Sequence, residues 1–593
     1  MLVRSRKFAL IVGGLALLAP GLQACTSTGS GGGTSGSPPQ QAVIVTPVTD
    51  PTPGASLVAE QQVSLYAPLP AADGSVPAAC ERVSYLRWYD PSGPSNSANA
   101  DAIFVAQPGI FEAAGAFDQV ARNTVRAAAA LGYHVEFWGI NPRSTCLEDT
   151  TGVQAAAAAA NPQLALDYYY NGGTVDGQKF GGFVSEQDAA WMAHMGLAQT
   201  VQDEYTIISQ LPPAVRQSKV FCGGHSLGGI VTAAFANWDF SGTGAAADAG
   251  YNQCAGYFAL DTRLAFSVSS ALLAQPFGTA LNSILSLAGS SSPYIDTAPF
   301  TPETFTALPI LGMAAYDQPN QLSTIAKDLP NDANFNVTFD LMLADSTADF
   351  ATNTPNARAV NFTNQAALGE LFSNIGEPIG IMRAGIGIPT GGPVVEKNFP
   401  VAYCSPSELG GLVGGQCQVS PDPTSATPSG PTYSWLNYNQ LPATLPSPVS
   451  DPGHPYTSPA EQVSDINQLA WAMYGASPSL FTVDYFPTQL VLDIAAAGLG
   501  SRAGTLSGLA YSDGITKHPA AYIDAGDGVT PTLGTTGAGA IPAGPAPQVH
   551  VVVPGYSHLD VVTAAWAQNN GQPEEVSSTL AHWMSQVVGA PAA

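Results

Sequence analysis

Between residues 83 and 260 short apolar runs alternate with helical stretches, and this alternation constrains the chain more than any other feature. Val83–Tyr89, Ala102–Ala106, His134–Gly139, Lys219–Cys222 and Gly256–Leu260 read as strands. Phe117–Leu131 is an alanine-rich helix. Ser185 with Asp188 resembles a capping box opening an amphipathic helix that runs to about Leu211, and Leu227 to about Trp238 forms another helix. Short apolar strands separated by helices imply a mostly parallel sheet covered on both faces, an α/β fold.

The pattern lapses for some 250 residues and resumes at Ala520–Asp524, Val549–Val553 and a closing helix, Val576–Val587. The intervening stretch carries helical pieces at Gln365–Asn374, Ala460–Tyr474 and Leu490–Ala497, joined by Pro/Ser-rich connections such as 419–458. Residues 56–263 and 511–593 are therefore expected to form two parts of one core, with 264–510 an inserted cap; an independent second domain is the alternative reading. A chain of 593 residues is long enough for either arrangement. Lys and Arg number 18 against 44 Asp and Glu, a formal net charge of −26. That field repels phosphate backbones, so no nucleic-acid partner is expected.

Arg4, Arg6 and Lys7 precede an apolar run from Phe8 to Leu18, then Leu22-Gln23-Ala24-Cys25. A positive end, a short apolar stretch and small residues before a cut site read as an export signal over 1–24. The tetrapeptide resembles a bacterial lipobox, which implies lipidation of Cys25 and attachment to the cell envelope, at an outer membrane or the outer face of the cytoplasmic membrane. Residues 25–55 open with Ser, Thr and Gly and read as a flexible tether. Six further cysteines remain: Cys80, Cys146, Cys222, Cys254, Cys404 and Cys417. An even number in an oxidising compartment suggests disulfides. Cys404–Cys417, Cys80–Cys146 and Cys222–Cys254 are the expected pairs, with buried free thiols the alternative for Cys222 and Cys254.

Gly224-His225-Ser226-Leu227-Gly228 follows an apolar strand and opens a helix. A Gly-x-Ser-x-Gly segment in that setting places serine on a sharp turn, where the glycines make room for a strained backbone. Here the chain resembles the α/β-hydrolase superfamily, over about 56–263 and 511–593 but not over the cap. The resemblance implies Ser226 as nucleophile, a histidine to take its proton and a carboxylate to orient that histidine, in chain order serine, acid, histidine. His558, in Pro554-Gly-Tyr-Ser-His-Leu-Asp560 after a strand, looks like the family's histidine; His225 reads as structural. Asp527, in Asp-Gly-Val-Thr-Pro531, best resembles the acid turn, with Asp524 and Asp261 as alternatives. The backbone N–H of Leu227 would form one half of the oxyanion hole. The loop Gln107–Phe111 would supply the other, through Ile110, although Gln-Pro-Gly stands where the family commonly has histidine before glycine.

Asn141–Asp149 and Tyr168–Tyr170 are either pocket lining or a braced loop beside a disulfide. No metal-ligand spacing, no glycine-rich phosphate or dinucleotide loop and hence no cofactor is expected. The expected activity is that of an exported serine esterase or lipase-like hydrolase acting on a small or lipid-like ester, its cap enclosing an apolar acyl pocket. Serine peptidase, amidase or acyltransferase chemistry on the same core, and a non-catalytic surface binding protein, are the alternatives.

Overall fold

The computed structural model describes residues 43–590 except 53, 71–75, 267–291 and 401–416. The export signal, Cys25, most of the tether and Cys404 lie outside the described residues. Among those described, no helix is long and apolar enough to cross a membrane.

The described residues form one compact unit around a nine-stranded sheet. Its strands are β1 (Val43–Val48), β2 (Ala59–Tyr66), β3 (Arg82–Tyr89), β4 (Ala102–Gln107), β5 (Val135–Ile140), β6 (Val220–His225), β7 (Gly256–Leu260), β8 (Ala520–Ala525) and β9 (Val549–Val553). They lie in the order β1-β2-β3-β5-β4-β6-β7-β8-β9. The pairs from β5 through β9 are parallel, and β1, β2 and β3 are joined antiparallel. This is the mostly parallel α/β sheet expected from the alternating runs, in the α/β-hydrolase arrangement that the resemblance at Gly224–Gly228 implied.

Alternation within strands builds both sides of the sheet. In β4, Ile103 and Val105 enter one buried cluster while Ala102, Phe104 and Ala106 enter the other. The second cluster packs Phe104, Phe137, Phe221 and Phe258 beneath helix α1 (Asp118–Ala130) and the C-terminal helix α4 (Glu575–Val588). The first takes helices α2 (Leu197–Ile208) and α3 (Leu227–Ala236), along with most of the apolar residues contributed from between β7 and β8.

Two expectations are corrected. Val43–Val48, read as tether, is an edge strand paired with β2; its exposed side chains and Pro47 hid it, and an edge tolerates both. The helix expected to start at Ser185 does not form there. The capping pair exists, Ser185 Oγ lying 2.7 Å from Asp188 Oδ2, but α2 begins only at Leu197. Gly196 marks the break: a Cβ there would lie 2.1 Å from Asp493 Oδ2, the group that receives the Leu197 N–H.

Between β7 and β8 the expected helices appear as Asn364–Phe372, Ile466–Ala472 and Thr488–Gly498. Helices at Ala307–Asp317 and Ala333–Leu343 and a three-stranded sheet accompany them. Two stretches of this region are tied to core loops. Ala113 N–H and Gly115 N–H donate to the carbonyls of Phe481 and Leu480, and Val483 N–H donates to Phe111 O. Leu559 N–H donates to Arg383 O, and Gly385 N–H to Asp560 Oδ1 at 2.9 Å. Cys80–Cys146 and Cys222–Cys254 are bonded as expected; Cys417 is disulfide-bonded as well.

Candidate active site

Ser226 stands between the end of β6 and the first residue of α3, with φ 55° and ψ −121°. A non-glycine residue there is strained by about 1–3 kcal/mol, and the surroundings must hold it. Ser226 N–H donates to Leu260 O, and Thr262 Oγ1 donates to Ser226 O at 2.6 Å. The glycines permit the approach of neighbouring chain. A Cβ at Gly228 would lie 2.1 Å from Gln107 O, and one at Gly224 would lie 2.5 Å from Gly228 C.

His558 is buried, and its Nδ1 lies 2.6 Å from Asp261 Oδ2. Asp261 directly follows β7 at φ 43° and is itself fully buried. Its Oδ2 also accepts from Val529 N at 2.8 Å, and its Oδ1 accepts from Thr530 N at 3.2 Å and from Thr530 Oγ1. Burial alone would raise this carboxyl. The hydrogen bond and charge of His558, with the Thr530 and Val529 donors, outweigh burial and hold it below the ordinary range.

The acid facing His558 is therefore Asp261, and the expectation of Asp527 is corrected. Asp527 is exposed, and its N–H donates to Tyr556 O. The Asp-Gly-Val-Thr turn does serve the site, because it wraps its own amides around Asp261. Gly528 makes this possible: a Cβ there would lie 2.1 Å from Asp261 Oδ2. Asp524 is occupied elsewhere, accepting from Arg263 at 2.6 and 2.9 Å and facing His550 Nε2 at 2.8 Å.

Ser226 and His558 line one cavity with Ile110, Phe305, Phe372, Met382 and Phe481. It holds about 410 Å³ of empty space, its open mouth included, and Phe305, Phe372, Met382 and Phe481 all come from between β7 and β8. The loop after β4 reaches this cavity because Gly109 lies against the serine, where a Cβ would come within 3.0 Å of Ser226 Cβ. Phe111 in that loop has φ 63°. Phe111, Ser226 and Asp261 make up half of the six positive-φ non-glycine residues described. Leu227 begins α3, so its N–H has no acceptor within the helix. It borders a second cavity, with Gly109, Asn141 and Arg143.

Arg143 braces this wall. It donates to Asp203 at 2.9 and 2.5 Å and to the carbonyls of Ala67 and Cys80. Tyr168 and Tyr169 donate to Asp149, and Tyr170 donates to Glu303 O. None of the three tyrosines lines the serine cavity.

Sequence reasoning set His225 aside as structural, and it missed Glu112 altogether. His225 is fully buried, with Nδ1 2.8 and 2.9 Å from the Glu112 carboxylate oxygens and Nε2 3.0 Å from His558 O. Glu112 also receives Gly109 N–H at 2.6 Å. A glutamate five residues beyond a strand and a histidine beside Ser226 were visible as letters, but their meeting depends on the fold. Among the described residues, Asp50, Glu60 and Asp118 form the one acidic group with metal-like spacing. Arg122 is ion-paired to all three, which explains the cluster without a metal.

No protein-family model matches the chain, and no curated protein matches it. Solved structures with a similar fold include a lipase candidate from Sulfolobus solfataricus, 12% identical, TM-score 0.38, covering 92% of this chain and 99% of that one. An epoxide hydrolase from Vigna radiata is 12% identical, TM-score 0.29, over 85% of this chain and 94% of that one. A laboratory-evolved variant of a potato epoxide hydrolase is 10% identical, TM-score 0.32, over 92% and 99%.

Proposed function

We propose that the chain is a serine hydrolase that cleaves carboxylic esters through an acyl-enzyme, with Ser226 as nucleophile, His558 as base and Asp261 as orienting acid. The observation that carries the reading is the 2.6 Å contact of His558 Nδ1 with Asp261, in a histidine that shares a cavity with a strained serine. An ionised Asp261 can only accept, so it fixes the His558 proton on Nδ1 and leaves the Nε2 lone pair to take the Ser226 proton.

Attack of Ser226 Oγ on the acyl carbonyl would form a tetrahedral oxyanion facing the N–H groups of Leu227 and Ile110. Collapse would pass the proton from His558 to the departing alkoxide and leave the acyl group on serine. Water, deprotonated by His558, would then release the acid and restore the serine. The aromatic wall of Phe305, Phe372 and Phe481 suits an apolar acyl or alcohol group.

Residues 264–510 act in this reading as the cap that sets specificity. The enzyme would be exported, cleaved after residue 24 and held at the cell envelope by lipid on Cys25, which keeps the hydrolase near lipid-like esters. The test is a screen of p-nitrophenyl esters across acyl lengths beside Ser226→Ala. Ester turnover that disappears in the variant supports the reading. Turnover of peptide anilides alone, or of neither class by well-folded protein, overturns it.

A further inference from the structure

Both ring nitrogens of His225 face acceptors. Nε2 lies 3.0 Å from the backbone carbonyl of His558, which can only accept, so Nε2 must carry a proton. Nδ1 lies 2.8 and 2.9 Å from both oxygens of Glu112, whose Oε2 already receives the Gly109 N–H at 2.6 Å. That carboxylate is set up as an anion, and its counter-ion is the second proton of His225. The His225 and His558 rings lie 4.4 Å apart, centre to centre. We infer that His225 is a permanently charged imidazolium, paired with Glu112, which ties the oxyanion loop to the histidine loop and keeps His558 a working base in acid solution. It acts through His558 and Gly109, so it is a positioning residue. The inference rests on the reading of His558 as the base.

The surrounding charges agree with this geometry. Burial would push His225 down, but the charge and hydrogen bond of Glu112, with Asp261 beyond, bring it above its ordinary value. Burial would push Glu112 up, but His225 and the Gly109 N–H bring it below. For His558, burial and then the His225 charge lower the value, and the hydrogen bond and charge of Asp261, with Glu112, recover only part. Asp560, two residues on, accepts from Ser464 Oγ, Ser557 N and Gly385 N; burial pushes it up to about 7, so it is uncharged in acid. A like charge this close typically moves a titration by about 1–3 pH units.

The direct test is ring-nitrogen NMR of the full chain labelled with ¹⁵N-histidine. One histidine should show both nitrogens protonated without titrating between about pH 5 and 8, and its signals should vanish in His225→Gln. A neutral tautomer for His225 near neutral pH would overturn the inference in the unmutated protein, whether or not the variant folds. The second readout is the acidic limb of kcat/KM. Its midpoint should rise by about one pH unit in His225→Gln, whereas loss of packing alone would lower kcat/KM with the midpoint fixed. An unmoved midpoint overturns the electrostatic role. If no ester is turned over by any form, the hydrolase reading fails while the NMR result still decides the charge of His225.

Discussion

Replacing Asp261 by asparagine tests the assignment of the acid at one atom. Asp261 Oδ2 faces His558 Nδ1 at 2.6 Å and Val529 N–H at 2.8 Å, and Oδ1 faces the Thr530 N–H at 3.2 Å together with Oγ1. Every partner donates, so an amide NH₂ has no acceptor to meet unless His558 turns into one. If His558 accepts at Nδ1, its proton moves to Nε2, where it can no longer take the serine proton. The same change in a Ser-His-Asp protease lowers kcat by about 10⁴-fold, roughly 5 kcal/mol of transition-state stabilisation. Asp261→Asn should show a loss of that size in kcat on a p-nitrophenyl ester, with a folded circular dichroism spectrum. Asp527→Asn, at an exposed turn, should stay within about threefold of the parent, a few tenths of a kcal/mol. The reasoning is refuted if the two results are exchanged.

Gly109→Ala would place a methyl 2.7 Å from Glu112 Oε2 and 3.0 Å from Ser226 Cβ. It should displace the loop after β4 and, if that loop supplies the proposed oxyanion donor, lower kcat by about 10²-fold in steady-state kinetics. Phe372→Ala should deepen the cavity beside Ser226 and move the best acyl length in a chain-length series upward; an unchanged preference would place the acyl group elsewhere. Stability should peak near pH 5. Burial raises Glu204 and Glu370 to about 8 and Asp484 to about 7. Between their unfolded values and these, the folded chain holds more protons, so stability falls as pH rises. The raised His225 adds stability that is likewise lost as pH rises through its folded value, and the lowered Glu112 and Asp261 lose theirs only in stronger acid. Tm should be higher at pH 5 than at pH 8 by roughly 5 °C or more, and a rise toward pH 8 would contradict this.

How much of this was legible in the letters follows from how local each feature is. Seven of the nine strands announce themselves, because strands packed within a covered sheet are rich in apolar residues. β1 escapes notice since an edge need bury little, and β2 because Glu60, Gln61, Gln62 and Ser64 leave it no apolar run. Ser226 is readable because strand, glycine turn and helix are contiguous in sequence. His558 is readable because, of the three histidines beyond residue 520, it alone sits in a loop between a strand and a helix. The carboxylate that meets His558 is not, since three aspartates end or follow strands and only the sheet decides which one reaches the imidazole. The turn that resembles an acid loop, Asp527–Pro531, gives its backbone amides to Asp261 in place of its own carboxylate. The Glu112–His225 pair spans 113 residues and leaves no local trace. The aromatic cap wall, with Phe305, Phe372 and Phe481, comes from segments far apart in the chain.

Treatment with a fluorophosphonate followed by peptide mass mapping addresses the central claim most directly, because only a serine deprotonated in place by a neighbouring base reacts at a useful rate. The account predicts a single adduct on the peptide containing Ser226, with labelling slowed by orders of magnitude in His558→Ala and in Asp261→Asn. An adduct on another residue, or labelling of Ser226 that is indifferent to His558, would contradict it.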